Sequence, residues 1–330
     1  MQNIQRTSCP EYPEDPTREV YEAARSGNAE SLSKVLQQMY SSQITSALRA
    51  RKAYRLSFLC NELTDRLSPL IVAAENGNLD CMKVLLKYNA DIESRLNDNP
   101  TILPRGYPPL HAATGNGHVD VLSCMVKNGA DVNARLNDNF TPLMKVIMKG
   151  HLNAAIFLIE HGAKLDIQDR LRGYTAVHRA IFHANDSFDA LSCLIKNGAD
   201  INALANDNCT PLIIAILHGQ LRTAVFLIEH EAKLDIRDAL PTCGYTAIHH
   251  AVFHDSNSCA VLRCLIKNGA DVNARTSYNQ DRTPLMLAIS NRDQNAAKCA
   301  TEFLIKHGAD VHIQDKIIIR CSTLPQGIPL

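Results

Sequence analysis

A chain of 330 residues is long enough to bury a large core, and its 34 Lys and Arg balance 34 Asp and Glu, so no net field draws it to nucleic acid or anionic lipid. Residues 1–30 are polar and proline-bearing with no signal-peptide core, and apolar runs such as Leu212–Leu217 fall far short of the roughly 20 residues a membrane span needs. The expectation is a soluble, monomeric, cytoplasmic or nuclear protein, free of the membrane, whose eleven cysteines are reduced thiols.

In chain order, residues 1–16, with Cys9-Pro10, Pro13 and Pro16, are expected to form a disordered leader. Thr17 is placed to cap a helix through Glu19–Arg25, ended by Gly27-Asn28, and a second helix is predicted from about Ala29 to Met39. Residues 17–64 thus read as an N-terminal capping helix pair plus an insertion. The insertion, Tyr40–Thr64, carries Arg49, Arg51, Lys52 and Arg55 with no acid from Ser41 to Asn61. It reads as a helical segment with a solvated basic face or as a local docking patch.

From Asp65 the chain repeats itself. The phrase Asn128–Asn133 returns as Asn197–Asn202 and Asn268–Asn273, with weaker echoes at Asn89–Glu93, His161–Asp166, His230–Asp235 and His307–His312. Each unit opens on a Thr-Pro-Leu-like start, and the middle residues Pro69, Pro109, Pro142, Ala176, Pro211, Ala247 and Pro284 are 40, 33, 34, 35, 36 and 37 apart. A fixed period of this size means stacked units rather than one globule. Ser or Thr caps the first helix while Pro occupies its first position, where a missing N–H costs nothing. Gly77, Gly117, Gly150 and Gly219 end that helix, and a second apolar helix follows, such as Ala154–His161 or Val261–Asn268.

Pro109-Leu110-His111-Ala112-Ala113 with Gly117-His118 and Gly129–Asn133 resembles the ankyrin repeat family, over roughly Thr17 to Asp315. The resemblance implies an all-α fold, a solenoid of helix-turn-helix units with β-hairpin fingers, with about seven repeats over 65–315. Met144, Ile213 and Met286 replace the motif's histidine and Glu231 a glycine. His183–Ser187 and His254–Ser258 stand where two units lack the inter-helix glycine. A longer period overlies the first: Phe157–His161 returns as Phe226–His230, and Gly173–Ala176 with Phe182-His183 as Gly244–Ala247 with Phe253-His254. Alternate repeats are therefore more alike than neighbours, as a duplicated two-repeat unit would be. Residues 316–330 match no repeat and read either as a tail capping the last repeat or as the start of something longer.

The resemblance implies a concave wall on which two rows of residues stand free. One row precedes the Thr-Pro-Leu start and contains Tyr107, Phe140, Tyr174, Tyr245 and Arg282. The other ends the first helix and contains Met148, Lys149, Phe182, His183, His218, Phe253 and His254. Six of the nine tyrosines and eight phenylalanines fall on these rows, and large rigid rings are what an interface uses as anchors. Packing of the tyrosines against the fingers, and of Phe182 and Phe253 under their loops, is the competing assignment. His111, His178 and His249 occupy the slot whose imidazole, in this family, bonds backbone between repeats.

No catalytic motif is present: no phosphate-binding Gly-x-x-x-x-Gly-Lys, no Gly-x-Ser-x-Gly, no kinase set. His249-His250 with His254 lacks any accompanying metal-binding pattern, so neither metal nor cofactor is expected. The expected function is non-enzymatic binding of a protein or peptide, not nucleic acid, along the concave ankyrin groove. Ser68–Asp80 and the irregular Leu96–Tyr107 loop are further similar to the Fem family of ubiquitin-ligase substrate receptors. That resemblance implies recognition of a substrate's C-terminal end, with Asp98 meeting a basic residue. A structural scaffold binding through another face is the remaining reading.

Overall fold

The computed structural model describes residues 16–41, 68–93, 107–182, 188–239, 244–254, 259–277, 281–291 and 294–313. Residues 1–15 of the leader, nearly all of the insertion, the Leu96–Gly106 loop with Asp98, the loop His183–Ser187 and the 316–330 tail lie outside them. Every regular element described is a helix, and the family fold expected from the sequence is the fold found: an all-α repeat solenoid.

The helices come in pairs. The first of each pair is α1 (Pro16–Ser26), α3 (Pro69–Glu75), α5 (Pro109–Asn116), α7 (Pro142–Met148), α9 (Ala176–Phe182), α11 (Pro211–Leu217), α13 (Ala247–His254) and α15 (Pro284–Ile289). Their partners are α2 (Ala29–Ser41), α4 (Leu79–Lys87), α6 (Val119–Lys127), α8 (Leu152–Glu160), α10 (Phe188–Lys196), α12 (Leu221–Glu229), α14 (Ala260–Lys267) and α16 (Gln294–Lys306). Helices this short are marginal alone and persist because each buries its apolar side on neighbours.

The predicted caps are in place. The side-chain oxygens of Ser68, Thr141, Thr210 and Thr283 accept from the backbone N–H three residues on, at 3.2 to 3.3 Å. Where the start is Thr-Ala the arrangement changes. The Thr175 and Thr246 N–H groups donate to Nδ1 of His178 and His249, at 3.1 and 3.2 Å. Accepting at Nδ1 leaves the proton on Nε2, which donates across to the next repeat, to Cys209 O at 3.3 Å and Ala274 O at 3.1 Å. The motif histidine is thus a neutral tie between repeats.

The chain forms two compact units, 1–163 and 164–330. In the first, α1, α3, α5 and α7 pack in succession with α2, α4, α6 and α8 packed in succession behind them. Leu36, Leu70, Met82, Leu110, Leu122, Met125, Leu143 and Ile147 fill the space between. Met144, in a motif-histidine slot, is 1% exposed and simply adds to that core. The second unit repeats the plan with α9, α11, α13 and α15, around Val177, Leu194, Leu212, Leu227, Ile248, Leu262 and Leu304. Within the first unit a recurrent slot ties one repeat to the one before: Asn78 Nδ2 donates to Ala24 O at 2.8 Å, and His118 and His151 meet the carbonyls of Glu75 and Gly115 at 3.2 and 3.1 Å.

The fingers are tight turns; among the described residues none reaches the length of a strand. Leu136 N–H donates to Phe140 O at 3.1 Å and Ala205 N–H to Cys209 O at 3.1 Å, with Asn139 and Asn208 at φ +63° and +55°. Gly173 shows what such turns demand. Its φ is +70°, and a Cβ there would lie 2.4 Å from Asn206 Oδ1 and 2.8 Å from Asn206 N. Gly162, at φ +87°, has nothing within 4 Å of the same position. Gly162→Ala is therefore expected to cost about 1 kcal/mol, the left-handed penalty alone. Gly173→Ala should cost about 2 to 3 kcal/mol because backbone must also move. Urea unfolding of the two variants checks the order; equal losses would contradict it.

Candidate protein-binding surface

In the second unit the aromatic residues form two ladders built on the buried motif histidines. His178, fully buried, stacks on Tyr174 with centroids 5.3 Å apart and planes at 12°. Tyr174 stacks in turn on Phe182 at 5.3 Å, and Phe182 meets the His218 ring edge-on at 4.9 Å. The second ladder has the same order: His249 against Tyr245 at 5.5 Å and 14°, then Tyr245 against Phe253 at 6.3 Å and 19°. Each ladder starts in the core and ends at solvent, Phe182 being 37% and Phe253 39% exposed. Burial pushes both histidines down to about 4, so at neutral pH the base of each ladder carries no charge.

A carboxylate sits under each ladder. Asp169, whose side chain is 1% exposed, accepts from Arg179 Nη2 at 2.6 Å and from Arg172 N–H at 2.8 Å. Asp238, in the equivalent position one duplication later, meets His250 Nε2 at 2.6 Å and accepts from Tyr245 N–H at 2.8 Å. Asp169 N–H and Asp238 N–H donate to Tyr174 O and Tyr245 O at 3.0 Å each. The Asp therefore fixes the finger that presents the tyrosine. Arg179 also lies over the Tyr174 ring, 5.4 Å from its centroid.

The first unit carries a different arrangement. Tyr107 is 6% exposed; Lys145 Nζ sits 4.3 Å over its ring and reaches its hydroxyl, while that hydroxyl donates to His111 O at 3.1 Å. Burial lowers the Lys145 ammonium to about 8, opposed by the Glu75 carboxylate and helped by Lys149. Burial likewise raises the Tyr107 phenol. His111 is fully buried and contacts Phe140 O through Nε2 at 3.1 Å. Phe140 and Met148 are half-buried, and Lys149 is exposed.

Of the two assignments open for the tyrosines, packing describes Tyr107 and Tyr174. Tyr107 and Tyr174 do not stand free on the surface: each is 6% exposed because its ring packs against the motif histidine of its own repeat. Tyr245 and Arg282 are half-buried. Phe182, Phe253 and His218 are exposed as the row predicts, so the open edge of the ladders belongs to the helix ends rather than to the fingers. His183, Asp98 and the His254 side chain lie outside the described residues. Sequence reasoning missed Asp169, Asp238, Arg179, His250 and Lys145. Their signal was present in the paired phrases Asp169 with His178-Arg179 and Asp238 with His249-His250. Among the described residues no group of three or more His, Cys, Asp or Glu could hold a metal ion, and no helix is long and apolar enough to cross a membrane.

A family model of ankyrin repeats matches residues 20–135, 70–169, 131–205, 164–238 and 232–315. An ankyrin repeat protein of Rickettsia felis is 28% identical over 126 residues, 38% of this chain and 40% of that protein. One from fowlpox virus is 33% identical over 129 residues, 38% of this chain and 35% of the relative. Human neurogenic locus notch homolog protein 1 is 36% identical over 140 residues, 41% of this chain and 5% of its own length. The chain thus spans less than half the length of these curated relatives.

Proposed function

We propose, from the premise that the chain belongs to the ankyrin repeat family, that it is a binding module capturing a protein or peptide on the ladder edge of its second unit. Ankyrin repeats are protein-interaction modules. The observation that carries the reading is the pair of ladders, each anchored on a buried neutral histidine and each ending in a phenylalanine more than a third exposed. A ring held from behind by stacking loses little side-chain entropy when a partner covers it, which is what a binding anchor requires. His218 and Phe253 extend the apolar edge, and an extended or helical segment with apolar side chains is the complementary partner. Recognition without chemistry is the role that membership of a family of interaction modules supports.

Phe182→Ala with Phe253→Ala is expected to abolish capture of partners from lysate while the chain stays folded, the partly exposed rings costing on the order of 1 to 2 kcal/mol each. The exposed pair replaces Tyr174→Ala with Tyr245→Ala as the diagnostic variant, since removing the buried Tyr174 ring would also damage the fold. Bound proteins are identified by mass spectrometry for parent and variant. Cullin-type components, or substrates sharing a C-terminal motif lost in the variant, would specify a ligase substrate receptor. The same partners from both forms would defeat the ladder-edge assignment in favour of a scaffold using another face.

A further inference from the structure

We propose that Cys259 and Cys299 are a redox pair that closes to a disulfide on exposure to a peroxide, fastening the last two repeats of the second unit together. Cys259 stands at the N-terminus of α14, and Cys299 lies in α16 of the following repeat. Their Sγ atoms are 2.7 Å apart, so only a small movement brings them to the ~2.05 Å of a disulfide. Cys299 is exposed and Cys259 is 5% exposed, so an oxidant from solvent meets Cys299 with the second sulfur already behind it. This pairing of an accessible thiol with an adjacent resolving one is what reversible thiol oxidation needs.

Four of the other described cysteines are held in the unreactive protonated form: Cys81, Cys124, Cys209 and Cys264 have their thiols pushed up, first by burial. In the proposed step the Cys299 thiolate attacks one oxygen of hydrogen peroxide, the O–O bond breaks, and the departing hydroxide takes up a proton as water. Cys299 is then a sulfenic acid. Cys259 sulfur attacks Cys299 sulfur, the S–O bond breaks, and a second water leaves as the S–S bond forms. Two thiols are oxidised and one peroxide is reduced to two waters. A bond here would join two successive repeats covalently and restrain their local opening.

The test uses the full reduced chain, one equivalent of hydrogen peroxide, blocking of remaining thiols, and peptide mapping without reductant. The expected result is a mass lower by two hydrogens before blocking and a tryptic peptide ending at Arg263 joined to the one beginning at Cys299. Fragmentation places the link on Cys259 rather than on Cys243 of the same peptide. The oxidised form should also unfold at higher temperature than the reduced form. Cys299→Ser should abolish the link, and Cys259→Ser should leave a sulfenic acid on Cys299 that dimedone captures. Full blocking of both thiols after peroxide, or links spread over the other cysteines, would overturn the proposal.

Discussion

Lowering the pH from 6.5 to 4 is expected to strip on the order of 6 kcal/mol from the stability of the second unit, through two histidines. His178 and His249 are fully buried, and desolvation, the first cause, holds each at about 4 against an ordinary 6.5. The backbone carbonyls of Cys209, Arg282 and Ala274 pull the other way, as do Asp207 and Asp169 at His178, while His250 and Arg237 push His249 further down. Each difference corresponds to about 3 kcal/mol. The folded value is the lower one, so between 4 and 6.5 the unfolded chain binds more protons than the native one. The stabilisation is complete above about 6.5, falls as pH drops toward about 4, and changes no further below it. A unit of ordinary stability, roughly 5 to 15 kcal/mol, should approach unfolding across that window. The check is hydrogen exchange of α9 and α13 together with imidazole titration by NMR. Rings titrating near 6.5 with stability flat across the window would contradict it.

Asp169→Ala is the second large effect, expected to cost about 3 to 5 kcal/mol, because it strands Arg179 over a carboxylate-sized void. The loss has two parts. The ion pair at 2.6 Å joins an Asp side chain 1% exposed to an Arg 18% exposed, where solvent screens little. The same carboxylate also accepts the Arg172 N–H, so the finger that presents Tyr174 loses its fastening. Asp238→Ala breaks the corresponding contacts to His250 and to Tyr245 N–H and should disturb the second ladder in the same way. Urea unfolding measures both, with near-ultraviolet circular dichroism of the tyrosines reporting ladder geometry. A loss under 1 kcal/mol for Asp169→Ala would mean the pair is dispensable.

Some of this was legible in the residues alone. The Ser/Thr caps of α3, α7, α11 and α15 follow from local chemistry, since a hydroxyl beside Pro can satisfy the same N–H in any context. The role of His111, His178 and His249 as ties between repeats follows once the family motif is recognised. The burial of Tyr174 did not follow. A position just before a helix start is free or covered depending on where the neighbouring ring turns, and His178 four residues on turned out to be the better surface to cover. Asp169 with Arg179 and Asp238 with His250 escaped because, 10 and 12 residues apart, each pair joins a finger to a helix rather than neighbours on one element; only the folded finger brings them together. Cys259 and Cys299, 40 residues apart, became neighbours through the stacking of successive repeats.

Binding calorimetry with a captured partner, comparing the parent chain with Phe182→Ala/Phe253→Ala, decides whether the ladder edge is the binding surface. Anchors of this kind are worth about 2 kcal/mol or more, so Kd should rise at least about 30-fold while the variant remains folded at the temperature of the titration. An unchanged Kd in a folded double variant would place recognition elsewhere on the chain.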